Sequence, residues 1–223
     1  MSTVVYAVVM LIAVAISGAL RDATWCCAVG AVGLILQNAK ARAWRSAAGT
    51  LAVANTLTFV RLVLVTTLPW HLAWMPRWGF VALVTSLLVL DGLDGPVARA
   101  RGESSEVGAL FDMETDGLTV MVLSLLLWTR DGIGPWVLVC GLWRYVFVVV
   151  TAIFPALGDV PPSRLYRTLF GVVMVALACA FVPWRPLAYA AAVAAALLLS
   201  FSFLHSIARS RAMRVHFKGP ARP

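Results

Sequence analysis

Residues 91–116 have the sequence DGLDGPVARARGESSEVGALFDMETD, which places four aspartates inside or beside two strongly apolar segments. Asp91 ends an uninterrupted apolar run, whereas Asp112 and Asp116 lie within the first three turns of the next one. A carboxylate in the middle of a membrane span costs at least about 2.5–3.5 kcal/mol, so such residues are functional candidates by default. The stretch therefore predicts an acidic functional site at the edge of a membrane.

The spacing of these aspartates predicts that they share one small volume. Asp91 and Asp94 are three residues apart, and Asp112 and Asp116 are four apart, so each pair lies on one face of a helix. The connection 100–107 is short enough to make the two helices an antiparallel hairpin, which would bring both pairs together. Four unneutralised carboxylates repel strongly. Two divalent cations, Mg²⁺ or Mn²⁺, are the expected counter-charge because they prefer oxygen ligands.

The alternative interpretation is that the aspartates are structural ion pairs or solvated helix ends. Arg99 and Arg101 lie nearby in the sequence and would serve two of the acids. Four acids against two bases would leave two carboxylates uncompensated, which favours the metal site.

The composition of the whole chain points to a membrane. Of 223 residues, 61% are apolar and 13% charged, and the mean hydropathy is +0.90. Soluble domains have about 45–50% apolar and about 25% charged residues. These values exclude a disordered chain, a coiled coil and an ordinary soluble protein. The net charge of +8 then reflects basic residues at membrane edges rather than nucleic-acid binding.

Apolar segments of about 20 residues are long enough to span a bilayer. They predict an all-α, polytopic membrane protein with about eight transmembrane helices, at 4–20, 24–37, 55–74, 79–99, 107–127, 134–154, 165–182 and 187–205.

The distribution of basic residues predicts the orientation of these spans. With the N-terminus in the cytoplasm, twelve basic residues lie on the cytoplasmic side and four on the other, namely Arg21, Arg77, Arg130 and Arg185. The basic segment 37–49 is expected to form an interfacial helix on anionic headgroups.

Every fixed position of residues 91–116 matches the signature D-x2-D-G-x2-A-R-x8-G-x3-D-x3-D. The chain thus resembles the CDP-alcohol phosphotransferase (CDP-alcohol phosphatidyltransferase) family of integral membrane enzymes of phospholipid synthesis. The resemblance implies a six-helix core within 47–207 and a homodimer. Residues 1–46 would be an additional N-terminal transmembrane hairpin with the interfacial basic segment, and 208–223 a basic cytoplasmic tail.

The resemblance also implies roles for single residues. Asp91, Asp94 and Asp112 are expected as ligands of a two-metal centre. Asp116 is expected to contact the second metal and to act as the general base on the acceptor hydroxyl. Contacts to the CDP part of the donor are expected at Gly95, Arg99, Ser105 and Gly108.

A second resemblance lies upstream, in the segment Asn55-Thr-Leu-Thr58-Phe-Val-Arg61. It is similar to the N-x-L-T-x-x-R stretch that opens the family's first core helix, with Ala54 in place of the usual proline. Asn55 and Thr58 are predicted to line the cytidine pocket, and the alternative is a polar helix start near the membrane interface. Arg61 would either extend to the headgroup region or help to neutralise the acidic site.

Three arginines are predicted to bind a phosphorylated acceptor. Arg144 lies inside an expected span, and a lone intramembrane arginine requires a reason. Arg164 and Arg167 open the following span, where relatives that use phosphorylated polyols have a G-K-x-K-T-like run that this chain matches in part. The alternative is that Arg164 and Arg167 are ordinary positive-inside residues at the cytoplasmic end of a helix.

The predicted reaction transfers a phosphatidyl group from CDP-diacylglycerol to an alcohol and releases CMP, at the cytoplasmic face of a bacterial cell membrane. The preferred acceptor is glycerol 3-phosphate or inositol phosphate. Serine, phosphatidylglycerol, or a CDP-linked small alcohol reacting with diacylglycerol are alternatives within the family. A cation transporter is the alternative from another class, but it would distribute its acids across the bilayer instead of clustering them at one face.

Overall fold

The structure is a computed structural model that describes residues 2–38, 53–102, 106–155 and 164–217. Almost all of these residues are helical. No described residue lies in a β-strand, so the all-α fold class is confirmed. The helices are α1 Thr3–Leu20, α2 Thr24–Asn38, α3 Val53–Trp74, α4 Arg77–Arg101, α5 Glu106–Thr129, α6 Val139–Ile153, α7 Arg164–Cys179 and α8 Arg185–Phe217, with a 3₁₀ helix at Pro135–Leu138 before α6.

The described helices are apolar enough for a membrane protein. Four qualify as spans by length and composition, at Thr3–Leu20, Thr56–Trp74, Pro135–Ile153 and Arg185–Arg209. Large apolar side chains on α1 and α8, including Ile12, Leu197 and Phe201, are more than half exposed. A soluble protein rarely exposes so much apolar surface, whereas lipid chains would cover it.

Helix α5 is the centre of the bundle. All of its residues from 117 to 127 are buried, as expected for a helix that is surrounded by other helices. The hydroxyls of Thr115, Thr119 and Ser124 are also buried, and each donates a hydrogen bond of 2.7–2.8 Å to the carbonyl four residues earlier. These three hydroxyls of the central helix are therefore satisfied within the helix itself.

The prediction that α4 and α5 form a simple hairpin requires a correction. Helix α3 packs extensively against both α4 and α5, while α4 and α5 make little direct contact within the described residues. Local hydropathy does not determine which helices become neighbours, so the sequence pattern could not show this arrangement. Its consequence is that a side chain from α3 can reach the acids of both helices.

The N-terminal helices α1 and α2 pack directly on the predicted core. Helix α1 lies against α6 and α5, and α2 lies against α3 and α5. Within the pair, the amide of Cys26 donates to Ser17 Oγ at 2.9 Å. Between α1 and α6, the buried rings of Tyr6 and Tyr145 meet edge to face, with centroids 6.1 Å apart. The hairpin is thus part of the packed bundle and covers the central helix.

The observed helix bounds differ from the predicted ones at several ends. Helix α8 continues to Phe217, beyond the predicted end at 205, because no glycine or proline occurs between 205 and 217 and alanine, arginine and methionine favour helix. Before α6, Gly132 adopts a φ of +69° and the chain then forms the 3₁₀ turn. Residues 39–49 of the expected interfacial helix lie outside the described residues.

Candidate active site

Three of the four signature aspartates meet at one end of the bundle. Asp91 comes from α4, and Asp112 and Asp116 come from successive turns of α5. One carboxylate oxygen from each lies within 4.8 Å of the others. Their side chains are partly buried, with 25%, 38% and 18% exposed for Asp91, Asp112 and Asp116. Solvent and small ligands can therefore reach oxygens that the bundle holds together.

Arg61 of α3 is the base that pairs with this cluster. Its Nη2 lies 2.6 Å from Asp91 Oδ1 and 2.6 Å from Asp116 Oδ1. Its Nη1 lies 2.9 Å from Asp112 Oδ1, and its side chain is only 1% exposed. Because α3 packs against both α4 and α5, one guanidinium bridges both helices. Of the two sequence-based expectations for Arg61, the structure shows neutralisation of the acidic site.

The charge balance of the cluster leaves room for cations. Among the described side chains, three carboxylates of formal charge −1 face one guanidinium, an excess of two negative charges in a half-buried volume. Unpaired charge in such a place is costly unless a counter-ion is present. Carboxylate oxygens at this spacing are the donor set that Mg²⁺ and Mn²⁺ prefer, so the residues fit a divalent ion.

For several predicted site residues the structure describes the backbone but not the side chain. Asp94, Gly95 and Arg99 continue α4 beyond Asp91, and Asn55 lies in the first turn of α3. Ser105 lies outside the described residues. The expected roles of these five residues remain predictions.

Two further predicted donor contacts lie one helical turn from the acidic cluster. Thr58 is buried and precedes Arg61 by one turn on α3. Gly108 is partly buried and precedes Asp112 by one turn on α5. Residues three or four apart share a helix face, so both positions face the same region as the cluster.

A second buried ion pair lies on another side of α5, and sequence reasoning did not find it. Arg144 Nη2 lies 2.5 Å from Glu114 Oε1, and Glu114 is 1% exposed. A Cβ on Gly117 would stand 2.9 Å from Arg144 Cγ, so the glycine lets the arginine cross α5. The partner of Arg144 lies on another helix, so no spacing within α6 indicates it. Glu114 lies within residues 91–116 but at none of the fixed positions of the signature. An acid at this place in an apolar helix was the sequence feature that could have indicated a buried ion pair.

The three predicted acceptor arginines are placed separately. Arg144 lines an open groove of about 330 Å³ between α1, α5 and α6, together with Thr3 and Thr151. Its Nε has no hydrogen-bond partner in the described part of the chain. Arg167 is exposed at the start of α7, and only the backbone of Arg164 is described. Within the described residues, α6 and α7 each pack on α8 and make little contact with each other, so helix packing does not bring Arg144 and Arg167 together.

Fold and site together define a polytopic helical membrane protein with a carboxylate cluster at one end of its bundle. The family model for CDP-alcohol phosphatidyltransferase matches residues 51–204, and the chain belongs to this family. The resemblance inferred from the aspartate signature is thereby confirmed. No curated protein and no solved structure matches the chain significantly.

Family membership establishes the general activity. The protein is an integral membrane transferase of phospholipid biosynthesis, which moves a phosphatidyl group from a CDP-alcohol to an alcohol. The family uses divalent metal ions, in agreement with the acidic cluster. The match gives no support to a cation transporter.

Proposed function

We propose that the protein transfers the phosphatidyl group of CDP-diacylglycerol to the hydroxyl of glycerol 3-phosphate or an inositol phosphate and releases CMP. The observation that carries the proposal is the convergence of Asp91, Asp112 and Asp116 in a chain of this family. Diacyl chains can stay in the bilayer while the nucleotide reaches acids at the end of the bundle. The apolar outer surfaces of the helices fit this division.

The metal site would consist of Asp91, Asp94, Asp112 and Asp116, which would hold two ions of Mg²⁺ or Mn²⁺. When bound, such ions offset negative charge on the diphosphate and on the departing CMP. The two negative charges that Arg61 leaves uncompensated support this assignment.

Asp116 is our candidate for the general base. In the proposed reaction the acceptor oxygen forms a bond to the phosphatidyl phosphorus, the bond to CMP breaks, and the acceptor proton passes to Asp116. Arg61 donates to Asp116 Oδ1 and to Asp112 Oδ1, and so fixes the orientation of both carboxylates. Arg61 is thus a positioning residue in this scheme.

The donor nucleotide is proposed to lie along the polar ends of α3, α4 and α5. The contacts would come from Asn55, Thr58, Gly95, Arg99, Ser105 and Gly108. The position of Thr58 and Gly108 one turn from the cluster supports this placement. The two glycines would allow the nucleotide a close approach to the backbone.

The acceptor is proposed to meet Arg144, Arg164 and Arg167. The Arg144 side chain is 18% exposed and lines an open groove, which supports a role in binding a phosphate. Glu114 already engages its Nη2, so the acceptor would share this arginine with a structural partner.

We place this site at the cytoplasmic face of a bacterial cell membrane and the active unit in a homodimer. The proposed organisation is a hairpin and basic segment at 1–46, a catalytic core at 47–207 and a basic tail at 208–223. The twelve-to-four distribution of basic residues supports the orientation.

An acceptor panel tests the proposal directly. Purified protein in lipid nanodiscs receives labelled CDP-diacylglycerol and Mg²⁺, and CMP release is measured with glycerol 3-phosphate, inositol phosphate, serine or phosphatidylglycerol. We expect release with a phosphorylated polyol and little with the others. Release only with serine or phosphatidylglycerol would refute the acceptor class, and no release with any alcohol would refute the donor.

The Asp116→Asn variant tests the base. We expect turnover to fall about 10²–10⁴-fold, the usual contribution of a general base, while metal-dependent CMP binding largely persists. Near-normal turnover would exclude Asp116 as the base.

A further inference from the structure

A cavity of about 510 Å³ lies at the end of the bundle where α4 and α8 begin. Its charged lining consists of Arg77, Asp131 and Arg185, and Trp184 and Tyr189 supply aromatic rings. Asp91 lies about 21 Å from Arg77 along α4, at about 1.5 Å per residue. We call this cavity the trans pocket, because the acidic cluster lies at the opposite end of the bundle.

The trans pocket has an excess of positive charge. Arg77 pairs with Asp131, whose side chain is 11% exposed. Asp131 Oδ2 has no hydrogen-bond partner in the described part of the chain. Arg185 is close enough to Asp131 to interact electrostatically, yet it forms no ion pair within 4.0 Å with a described side chain. Two guanidiniums therefore lie near one carboxylate, whose Oδ2 is buried without a hydrogen-bond partner in the described part of the chain.

Two helix N-termini add to the positive potential. Helix α4 begins at Arg77 and α8 begins at Arg185, and neither has an acid in its first turn. The first helical hydrogen bonds run from Phe80 N to Pro76 O and from Ala188 N to Trp184 O, so the earlier N–H groups have no partner within the helix. A cation at a helix N-terminus opposes the helix dipole, whereas an anion there is stabilised. A bound anion would offset both unfavourable features.

We propose that the trans pocket binds the phosphate of a glycerophospholipid headgroup from the leaflet opposite the acidic cluster. Arg185 and Arg77 would bind the phosphate oxygens. This site is separate from the transferase centre and does not depend on the proposed donor or acceptor.

The surroundings of the pocket favour a lipid as the source of the phosphate. Trp184 and Tyr189 are 62% and 55% exposed at the rim, where amphipathic rings anchor at a membrane interface. Ile133 and Phe181 form an apolar part of the wall next to the charged residues. In a glycerophospholipid the apolar chains follow the phosphate, as the apolar wall of the pocket follows its charged residues. Free phosphate would leave this apolar wall uncovered.

Lipid binding can be measured on the delipidated full-length protein in a neutral detergent. Dioctanoyl phosphatidylglycerol is titrated, and native mass spectrometry and the shift in Tm give an apparent Kd. Dioctanoylglycerol, which lacks the phosphate, and inorganic phosphate, which lacks the chains, are the comparison ligands. We expect saturable binding of phosphatidylglycerol and much weaker effects of the other two.

Variants assign this binding to the trans pocket. Arg185→Gln is expected to raise the apparent Kd roughly tenfold, as for loss of one charge-assisted hydrogen bond. Ala188→Phe fills the pocket without changing a charge and is expected to weaken binding similarly. Arg21→Gln is the matched control, because it removes the same charge as Arg185→Gln. Arg21 is exposed on the same side and lies outside the pocket lining. Its Kd should equal that of the wild type.

Two results would overturn the proposal. An unchanged Kd in both Arg185→Gln and Ala188→Phe would show that the lipid binds elsewhere, including at the transferase site. Equal affinity for inorganic phosphate, with the same dependence on Arg185, would make the pocket a site for free phosphate.

Discussion

At the scale of single residues, Arg61 links the acidic cluster to the rest of the bundle. Its guanidinium is buried and contacts carboxylates from two helices, so it replaces part of the positive charge that bound cations would supply. The same contact keeps Asp112 and Asp116 in place when no cation is bound. The stability of the cluster should therefore depend on both the arginine and the metal.

We predict that Arg61→Gln destabilises the metal-free protein, by at most about 3–5 kcal/mol, because it removes this partner from three partly buried carboxylates. Mg²⁺ should raise the Tm of this variant more than that of the wild type, since the ions then replace the counter-charge that Arg61 supplies to the described carboxylates. Thermal unfolding in EDTA and in Mg²⁺ measures both effects.

The matched control is Arg101→Gln, which removes an exposed arginine from the end of the same helix α4. Its Tm should remain near that of the wild type in both buffers. Equal Tm values for Arg61→Gln and the wild type in EDTA would show that Arg61 does not stabilise the cluster.

The partners of a side chain could be predicted where the sequence pattern that indicates them lies within one helix. The i,i+3 and i,i+4 spacing of the aspartates, together with the signature, indicated that their side chains would meet. The choice of Arg61 as their partner was one of two expectations, because snorkelling and neutralisation are equally compatible with a helix sequence. The pair of Glu114 and Arg144 joins two helices, and no spacing within one helix encodes it.

At the scale of helices, the pair of Glu114 and Arg144 fixes α6 to a side of α5 other than the one that carries the acidic cluster. We predict that Glu114→Gln and Arg144→Gln each lower the free energy of unfolding by about 3–5 kcal/mol, because each leaves an opposite buried charge unpaired. The double variant should recover much of this loss, since no charge then remains alone. Denaturant unfolding in mixed micelles measures the cycle, and strictly additive losses would contradict the pairing.

Close packing of α6 on α5 depends on Gly141. A Cβ at this position would stand 2.5 Å from Met121 Cα, so the backbones would have to separate. We predict that Gly141→Ala destabilises the protein by about 1–3 kcal/mol, the usual cost of overpacking.

Gly171 of α7 provides the matched control, because a Cβ there would meet nothing within 4 Å. Gly171→Ala should be neutral or stabilising by up to about 1 kcal/mol, since alanine favours helix. The same denaturant assay compares the two variants. Equal stability of both would argue against the close α5–α6 contact.

The positions of the helices in the sequence could be predicted more fully than the packing of one helix against another. Long apolar runs indicated the eight α-helices of the described residues, including the short α2, although only four of them qualify as membrane spans by length and composition. The insertion of α3 between α4 and α5 was not predictable, because hydropathy indicates that a helix is buried but not which helix covers it. Similarly, α8 extends past its apolar part because helix propensity continues where hydropathy ends.

At the scale of the whole molecule, the acidic cluster and the trans pocket lie at opposite ends of the bundle, and our proposals place them on opposite sides of a membrane. Helix α5 has 24 residues, about 36 Å, which exceeds the hydrocarbon thickness of about 30 Å. Exposed Arg101 ends α4, and exposed Arg130 follows α5. These two positions should therefore lie on different sides.

We predict that Arg130→Cys reacts with an impermeant thiol reagent in intact cells, and that Arg101→Cys reacts only after permeabilisation. Both variants are made in a background in which the four native cysteines are alanine, and labelling is followed by a gel shift. Labelling of both positions from the same side would contradict the proposed orientation and the crossing of α5.

The most direct test of the central claim is a titration of Mn²⁺ binding by electron paramagnetic resonance with CDP-diacylglycerol present. We predict that the wild-type protein binds Mn²⁺ tightly, and that Asp91→Asn and Asp112→Asn each lose this binding while remaining folded. Asp22→Asn, which changes an acid in the connection between α1 and α2, should bind as the wild type does. Unaltered Mn²⁺ binding in both cluster variants would contradict a divalent-metal centre formed by α4 and α5.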